Sequence, residues 1–110
     1  MYYVYMMRCE DRSIYTGITT DVRRRLTEHQ KASGKGARYT RSRKVTEVLA
    51  VWQCADRSKA SRLEYAIKTL TKIRKEQLVT DGDLSVCKDR IDTEDYRKIS
   101  EQAQSDGEQG

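Results

Sequence analysis

The 110-residue sequence predicts a small mixed α+β domain in which strands and helices share one modest core. Three observations predict it. Two β-rich runs, YVYMMRC (3–9) and SIYTGI (13–18), flank the short polar stretch Glu10-Asp11-Arg12 and read as a β-hairpin. The apolar run TEVLAVWQC (46–54) reads as a buried third strand. Capping residues followed by helix-spaced apolar positions stand on both sides of that strand.

In the hairpin, period-two alternation puts Tyr3, Tyr5 and Met7 on one face of the first strand and Val4 and Met6 on the other. In the second strand Tyr15 and Gly17 share a face, opposite Ile14, Thr16 and Ile18. Two tyrosines on neighbouring strands then look out on the same side, and Gly17 lets something come close to the backbone beside them. Thr19, Thr20 and Asp21 are competent N-caps for a helix reaching Ala32 or Ser33. Its apolar seam is thin, Val22 and Leu26, with Arg25 and His29 flanking it four residues apart and Arg24 pointing away. The loop SGKGARYTRSRK follows, carrying Lys35, Arg38, Arg41, Arg43 and Lys44 around Tyr39.

After the third strand, Asp56 or Ser58 caps a helix whose core face is Ala60, Leu63, Ile67 and Leu70, with Glu64 at the edge of that face. A short helical run, RKEQLV, ends the basic body. Asp81-Gly82-Asp83 breaks the chain, so the expected division is a domain over 3–79 and an acidic tail over 80–110. Within the tail, DTEDYRKISEQA is expected to form a short acidic helix resting on Tyr96 and Ile99, and SDGEQG to be disordered. No internal repeat is present.

Charge sharpens that division. Residues 1–79 hold 18 Lys/Arg and 8 Asp/Glu, net +10, whereas residues 80–110 hold 4 and 9, net −5. A basic body with an acidic tail suits a polyanion partner, although many merely soluble basic proteins share the pattern. No apolar run approaches the roughly 18 residues that a membrane span needs. MYYVYMM lacks the charged start and cleavage site of a signal peptide, so a cytoplasmic protein is expected. Cys9, Cys54 and Cys87 are odd in number and widely spaced, and with a single His they read as reduced thiols rather than a zinc site.

Taken singly, the polar residues have ordinary explanations. Tyr5 and Tyr15 make a cross-strand aromatic pair, Arg25 belongs to a solvated Arg23-Arg24-Arg25 run, and His29 is an exposed helix residue. Glu64 has Lys68 four residues on, the spacing of a surface ion pair.

As an ordered set they resemble a known family. Val4-Tyr5-Met6, Tyr15-Thr16-Gly17 ten residues later, Arg25 and His29 in a helix, and Glu64 in a later helix are similar to the GIY-YIG nuclease superfamily, most of all its small single-domain bacterial members. Gly17 to Arg24, Gly34 to Thr40 and Glu64 to Thr71 resemble further stretches of those members, so the likeness covers residues 3–79. The chain departs from the pattern in reading VYM for GIY, in Thr16 at the centre of YIG, and in Val45 where a proline often stands.

The resemblance implies a three-stranded antiparallel sheet flanked by helices and hydrolysis of nucleic-acid phosphodiester bonds, DNA first, with one Mg²⁺ or Mn²⁺. It makes Glu64 the metal ligand through a hard oxygen. Arg25 becomes the clamp on the scissile phosphate, through a planar fork that stays charged. Tyr5 becomes the proton acceptor and Tyr15 the residue that positions water or phosphate. A free tyrosine titrates near pH 10, so Tyr5 as a base requires cationic charge to acidify it. His29 is an alternate proton relay. Gly17, Lys35, Arg38, Tyr39, Arg41, Arg43 and Lys44 are expected to meet the nucleic acid. No second domain for base readout is visible, so specificity falls to substrate shape or to a protein partner. Two other readings stay open: a nucleic-acid-binding module with little turnover, and a protein-interaction domain.

Overall fold

The computed structural model describes residues 1–32 and 45–99, apart from the side chains at 29–32 and 46. A four-stranded antiparallel sheet forms its centre, built from β1 (Tyr2–Cys9), β2 (Ile14–Thr19), β3 (Val45–Cys54) and β4 (Arg97–Ile99) in the order β2-β1-β3-β4. The helices are α1 (Val22–Ala32), α2 (Arg57–Lys68) and α3 (Lys72–Asp81), with 3₁₀ turns at Leu84–Cys87 and Thr93–Asp95. Among the described residues no helix is long and apolar enough to cross a membrane.

The alternation expected in β1 sorts the core into two layers. Val4 and Met6 face α2 with Ala60, Leu63 and Ile67, whereas Tyr5, Met7 and Cys9 face the other side with Val22 of α1. Met6 pairs with Ala50 but Met7 with Val48, so Leu49 is the extra residue of a β-bulge. The bulge explains why consecutive Leu49 and Ala50 both pack toward α2 while Val48 and Val51 pack with Tyr5.

The hairpin turn is tight and tied by side chains. Cys9 N–H donates to Ser13 O at 3.0 Å, Arg12 lies in the left-handed region at φ 71°, and the Asp11 carboxylate accepts from Ser13 N–H at 3.0 Å. Arg8 leaves β1 to form a two-pronged ion pair with Glu76 of α3, at 2.6 and 2.7 Å. Asp56 caps α2 by accepting from Lys59 N–H, and Thr71 caps α3. Leu70 falls beyond the end of α2 and is partly buried.

The segment after Thr80 departs from expectation. α3 is longer than RKEQLV and runs through the expected boundary to Asp81, ending on Gly82 in the left-handed conformation at φ 66°. Leu84, Cys87 and Ile91 are then buried in the α2-side core, so the chain belongs to the fold as far as Ile99 instead of leaving it as a tail. The expected acidic helix on Tyr96 and Ile99 is instead a 3₁₀ turn and strand β4, which makes the sheet four-stranded rather than three-stranded. A helix would put Tyr96 and Ile99 on one face. In the structure Tyr96 packs with the α2-side core and Ile99 with the Tyr5 side. Pairing of Arg97–Ile99 with Val51–Gln53 covers the otherwise open edge of an apolar strand, and that tertiary gain overrides a weak local helix pattern. Tyr96 adds an anchor by donating its hydroxyl to Lys59 O at 2.7 Å, beside the Lys59–Asp95 ion pair at 2.9 Å.

Candidate active site

The site grows from the α1 side of the sheet. Tyr5 sits opposite Gly17 on β2, and Tyr15 is two residues earlier on the same face. The two rings tilt toward each other at 39° with centroids 6.0 Å apart. A Cβ on Gly17 would stand 2.5 Å from the Tyr5 Oη and 2.8 Å from its Cζ. The close approach that Gly17 permits is therefore that of the Tyr5 ring end, which corrects the expectation that an incoming nucleic acid fills this space.

Helix α1 brings the cation. Asp21 accepts from Arg24 N–H at 3.1 Å through its side chain and from Arg25 N–H at 3.1 Å through its carbonyl, which fixes the first turn. Val22, fully buried, and Leu26 seat the helix in the cluster around Tyr5 and Val51. Arg25 lies beside that seam, and its Nε donates to the Tyr5 hydroxyl oxygen at 3.3 Å, a long contact for its type. Its Nη1 reaches Glu28 at 3.3 Å, one turn on. The i,i+3 spacing of Arg25 and Glu28 was the available signal for this partner, which the motif itself does not contain.

Electrostatics refine the role of Tyr5. Burial of its ring disfavours the phenolate and outweighs the opposing hydrogen bond from Arg25, so the hydroxyl is pushed up from 10.0 to about 12. Burial thus works against the acidification that a Tyr5 base requires. The reason is that a cation at one edge of a fully buried ring does not replace lost water. Arg25 is itself held in its charged form, first by its bond to Tyr5.

Glu64 comes from a different helix. It lies on α2, the layer on the opposite face of the sheet, a quarter exposed, and pairs with Lys68 at 3.2 Å. The structure thus unites Tyr5, Tyr15, Gly17 and Arg25, while the ion pair of Glu64 runs along its own helix to Lys68. Lys35, Arg38, Tyr39, Arg41, Arg43 and Lys44 lie outside the described residues, as does the His29 side chain.

The donor set bears on a metal. No group of three or more His, Cys, Asp or Glu side chains occurs among the described residues. A hard divalent cation that takes most of its ligands from water and phosphate needs only one such carboxylate. Glu64 fits that chemistry, since its ion-pair partner among the described residues, Lys68, is half exposed and yields readily.

Comparison with known proteins agrees with the geometry. Residues 1–77 match the model of the GIY-YIG catalytic domain. A UPF0213 protein of Desulfotalea psychrophila is 53% identical over 78 residues, 71% of this chain and 70% of the relative. A UPF0213 protein of Fusobacterium nucleatum is 47% identical over 98 residues, 89% of this chain and 92% of the relative. The solution structure of a UPF0213 protein from Bacillus halodurans covers 84% of this chain and 99% of its own at 44% identity, with a TM-score of 0.48. With the tyrosine pair, the glycine beneath it and the arginine at the motif's positions, this chain belongs to the GIY-YIG nuclease superfamily, among the UPF0213 proteins of bacteria.

Proposed function

We propose that the chain is a divalent-metal-dependent endonuclease that cuts DNA phosphodiester bonds in the cytoplasm, in repair or processing, by substrate shape rather than base sequence. The observation that carries this reading is the Arg25 guanidinium lodged on the Tyr5 hydroxyl beside Tyr15. Hydrolysis forms a water O–P bond, breaks P–O3′, removes a proton from water and returns one to the departing oxygen. Glu64 would hold the metal ion, which would supply charge neutralisation at the phosphoryl group.

The protein's own groups do the rest. Arg25 pairs with the scissile phosphate, and Tyr5 holds Arg25 in place through Nε. Tyr15, beside Tyr5, orients water or phosphate. Because burial disfavours the Tyr5 phenolate, another group is the better acceptor for the proton of the attacking water. His29 is the chain's one imidazole, one helical turn beyond Arg25 in sequence, and we assign it that task. The basic loop around Tyr39 grips backbone phosphates, and a protein partner is the route to finer specificity.

The test is incubation of the pure protein with labelled duplex, branched and single-stranded DNA and with RNA, with and without Mn²⁺. Metal-dependent cutting that Glu64→Ala abolishes, with DNA binding retained, supports the proposal. Cleavage by Glu64→Ala at the wild-type rate overturns it. The engagement of Glu64 by Lys68 favours a second reading, a binding module with little turnover, which predicts binding without cleavage throughout that panel.

A further inference from the structure

On the side of the sheet away from Tyr5, α2 displays an aromatic ring that the core does not use. Tyr65 is 62% exposed although its neighbours Ala66 and Ile67 are buried. The Arg90 guanidinium lies over the ring, 5.6 Å from its centroid, within cation–π range. Arg90 is placed by rigid backbone. Its N–H and that of Ile91 both donate to Cys87 O, and Cys87 and Ile91 are buried.

Cations surround the ring. Beside Arg90 a cavity of about 370 Å³ is lined by Thr69, Thr71 and Arg74, with Asp89 its one acid. Arg62 is exposed one helical turn before Tyr65. Neither Arg62 nor Arg74 joins an ion pair among the described residues. Projecting aromatic rings flanked by unneutralised arginines are poorly matched to an apolar protein partner. They match a nucleic-acid strand whose bases are free to stack and whose phosphates follow at regular spacing. A duplex hides its base faces, so the ring selects single strands.

We propose that Tyr65, Arg62, Arg74 and Arg90 form a second nucleic-acid contact, specific for single strands, on the face opposite the Tyr5–Arg25 site. One base stacks on Tyr65, and the neighbouring phosphates lie against the arginines and enter the cavity beside Arg90. This surface holds a strand whether or not the chain cleaves it, so it does not depend on the nuclease reading.

The experiment is fluorescence anisotropy on the full chain with labelled oligothymidylate and oligouridylate of about 12 nucleotides and a labelled DNA duplex. Tyr65→Leu is expected to weaken single-strand binding between about fivefold and a hundredfold, the range for losing one stacked base. Tyr65→Phe, which keeps the ring, should bind like wild type. Neutralising Arg62 and Arg74 to Gln should reduce the slope of log affinity against log salt by about 0.7 per lost contact. Duplex affinity should not change with any of these. Loss on only one of the two single strands supports the proposal and names the natural strand. Unchanged single-strand binding by a folded Tyr65→Leu protein overturns it, as does equal loss for duplex and single strand. Duplex cleavage by the same variants reports on the nuclease reading separately.

Discussion

Gly17→Ala is expected to damage both stability and the site, against the usual rule that Gly to Ala in a strand is neutral or helpful. The new Cβ would meet Tyr5 Oη at 2.5 Å, Tyr5 Cζ at 2.8 Å and Tyr15 Cε2 at 3.2 Å. The Tyr5 ring has nowhere to retreat, being fully buried among Met7, Val22 and Val51. Overpacking of this kind costs about 1–3 kcal/mol. Displacement of the hydroxyl also breaks the bond from Arg25, which is worth about 1 kcal/mol at its length and exposure. Lower entropy of the unfolded chain returns about 0.5–1 kcal/mol. The net is a loss of about 1–3 kcal/mol, measurable as a lower urea midpoint at unchanged m-value. Tyr5→Phe deletes the nearest clash, so Gly17→Ala should cost about 1 kcal/mol less in that background. A Gly17→Ala protein as stable as wild type, or one whose cost is the same in both backgrounds, would refute the packing argument.

Arg25→Ala should slow single-turnover cleavage by ~10² or more, the scale of losing one preorganised donor to developing phosphoryl charge, and Arg25→Lys should restore little because a point charge lacks the fork. Since burial pushes the Tyr5 hydroxyl up from 10.0 to about 12, the unfolded chain loses its proton first. Stability should therefore hold below about pH 10 and fall by up to about 3 kcal/mol as pH rises to about 12, a limb that urea titration should find reduced in Tyr5→Phe. Truncation after Val79 removes buried Leu84, Cys87 and Ile91 together with β4, so the product should lose its cooperative unfolding transition; retention of that transition in calorimetry would show the segment to be dispensable. Neutralising Lys35, Arg38 and Arg41 together should weaken binding to all DNA sequences and flatten the salt dependence by about 0.9 per lost phosphate contact, an unchanged slope sending those contacts elsewhere.

The fold was legible where the pattern is local. Alternation in YVYMMRC gives the two faces of β1 without any tertiary information, because side chains in a strand can only alternate. The capping residue and apolar spacing of α2 are similarly self-contained. β4 was not legible. Arg97–Ile99 is three residues long, is preceded by acidic residues that suit a helix start, and becomes a strand only because β3 offers it an edge. The charge contrast at Thr80 misled for a related reason. Net charge describes the surface of a segment, whereas Leu84, Cys87 and Ile91 alone decide whether it is buried.

The site divides along the same line. Spacing alone places Tyr5, Tyr15 and Arg25 together, since the hairpin register puts Tyr5 opposite Gly17 and the Val22–Leu26 seam turns Arg25 inward. Protonation is not a property of spacing. An arginine beside a tyrosine suggests an acidic phenol, yet the balance depends on how much water the ring gives up, and Tyr5 gives up all of it. The same burial that denies Tyr5 a phenolate makes it a stiff, permanent acceptor for Arg25 Nε. A hydroxyl that ionised at neutral pH would tie the guanidinium into an ion pair and compete with substrate phosphate for its charge. Keeping Tyr5 neutral leaves the charge of Arg25 shared, among the described residues, with the exposed Glu28, a partner that an incoming phosphate displaces at small cost.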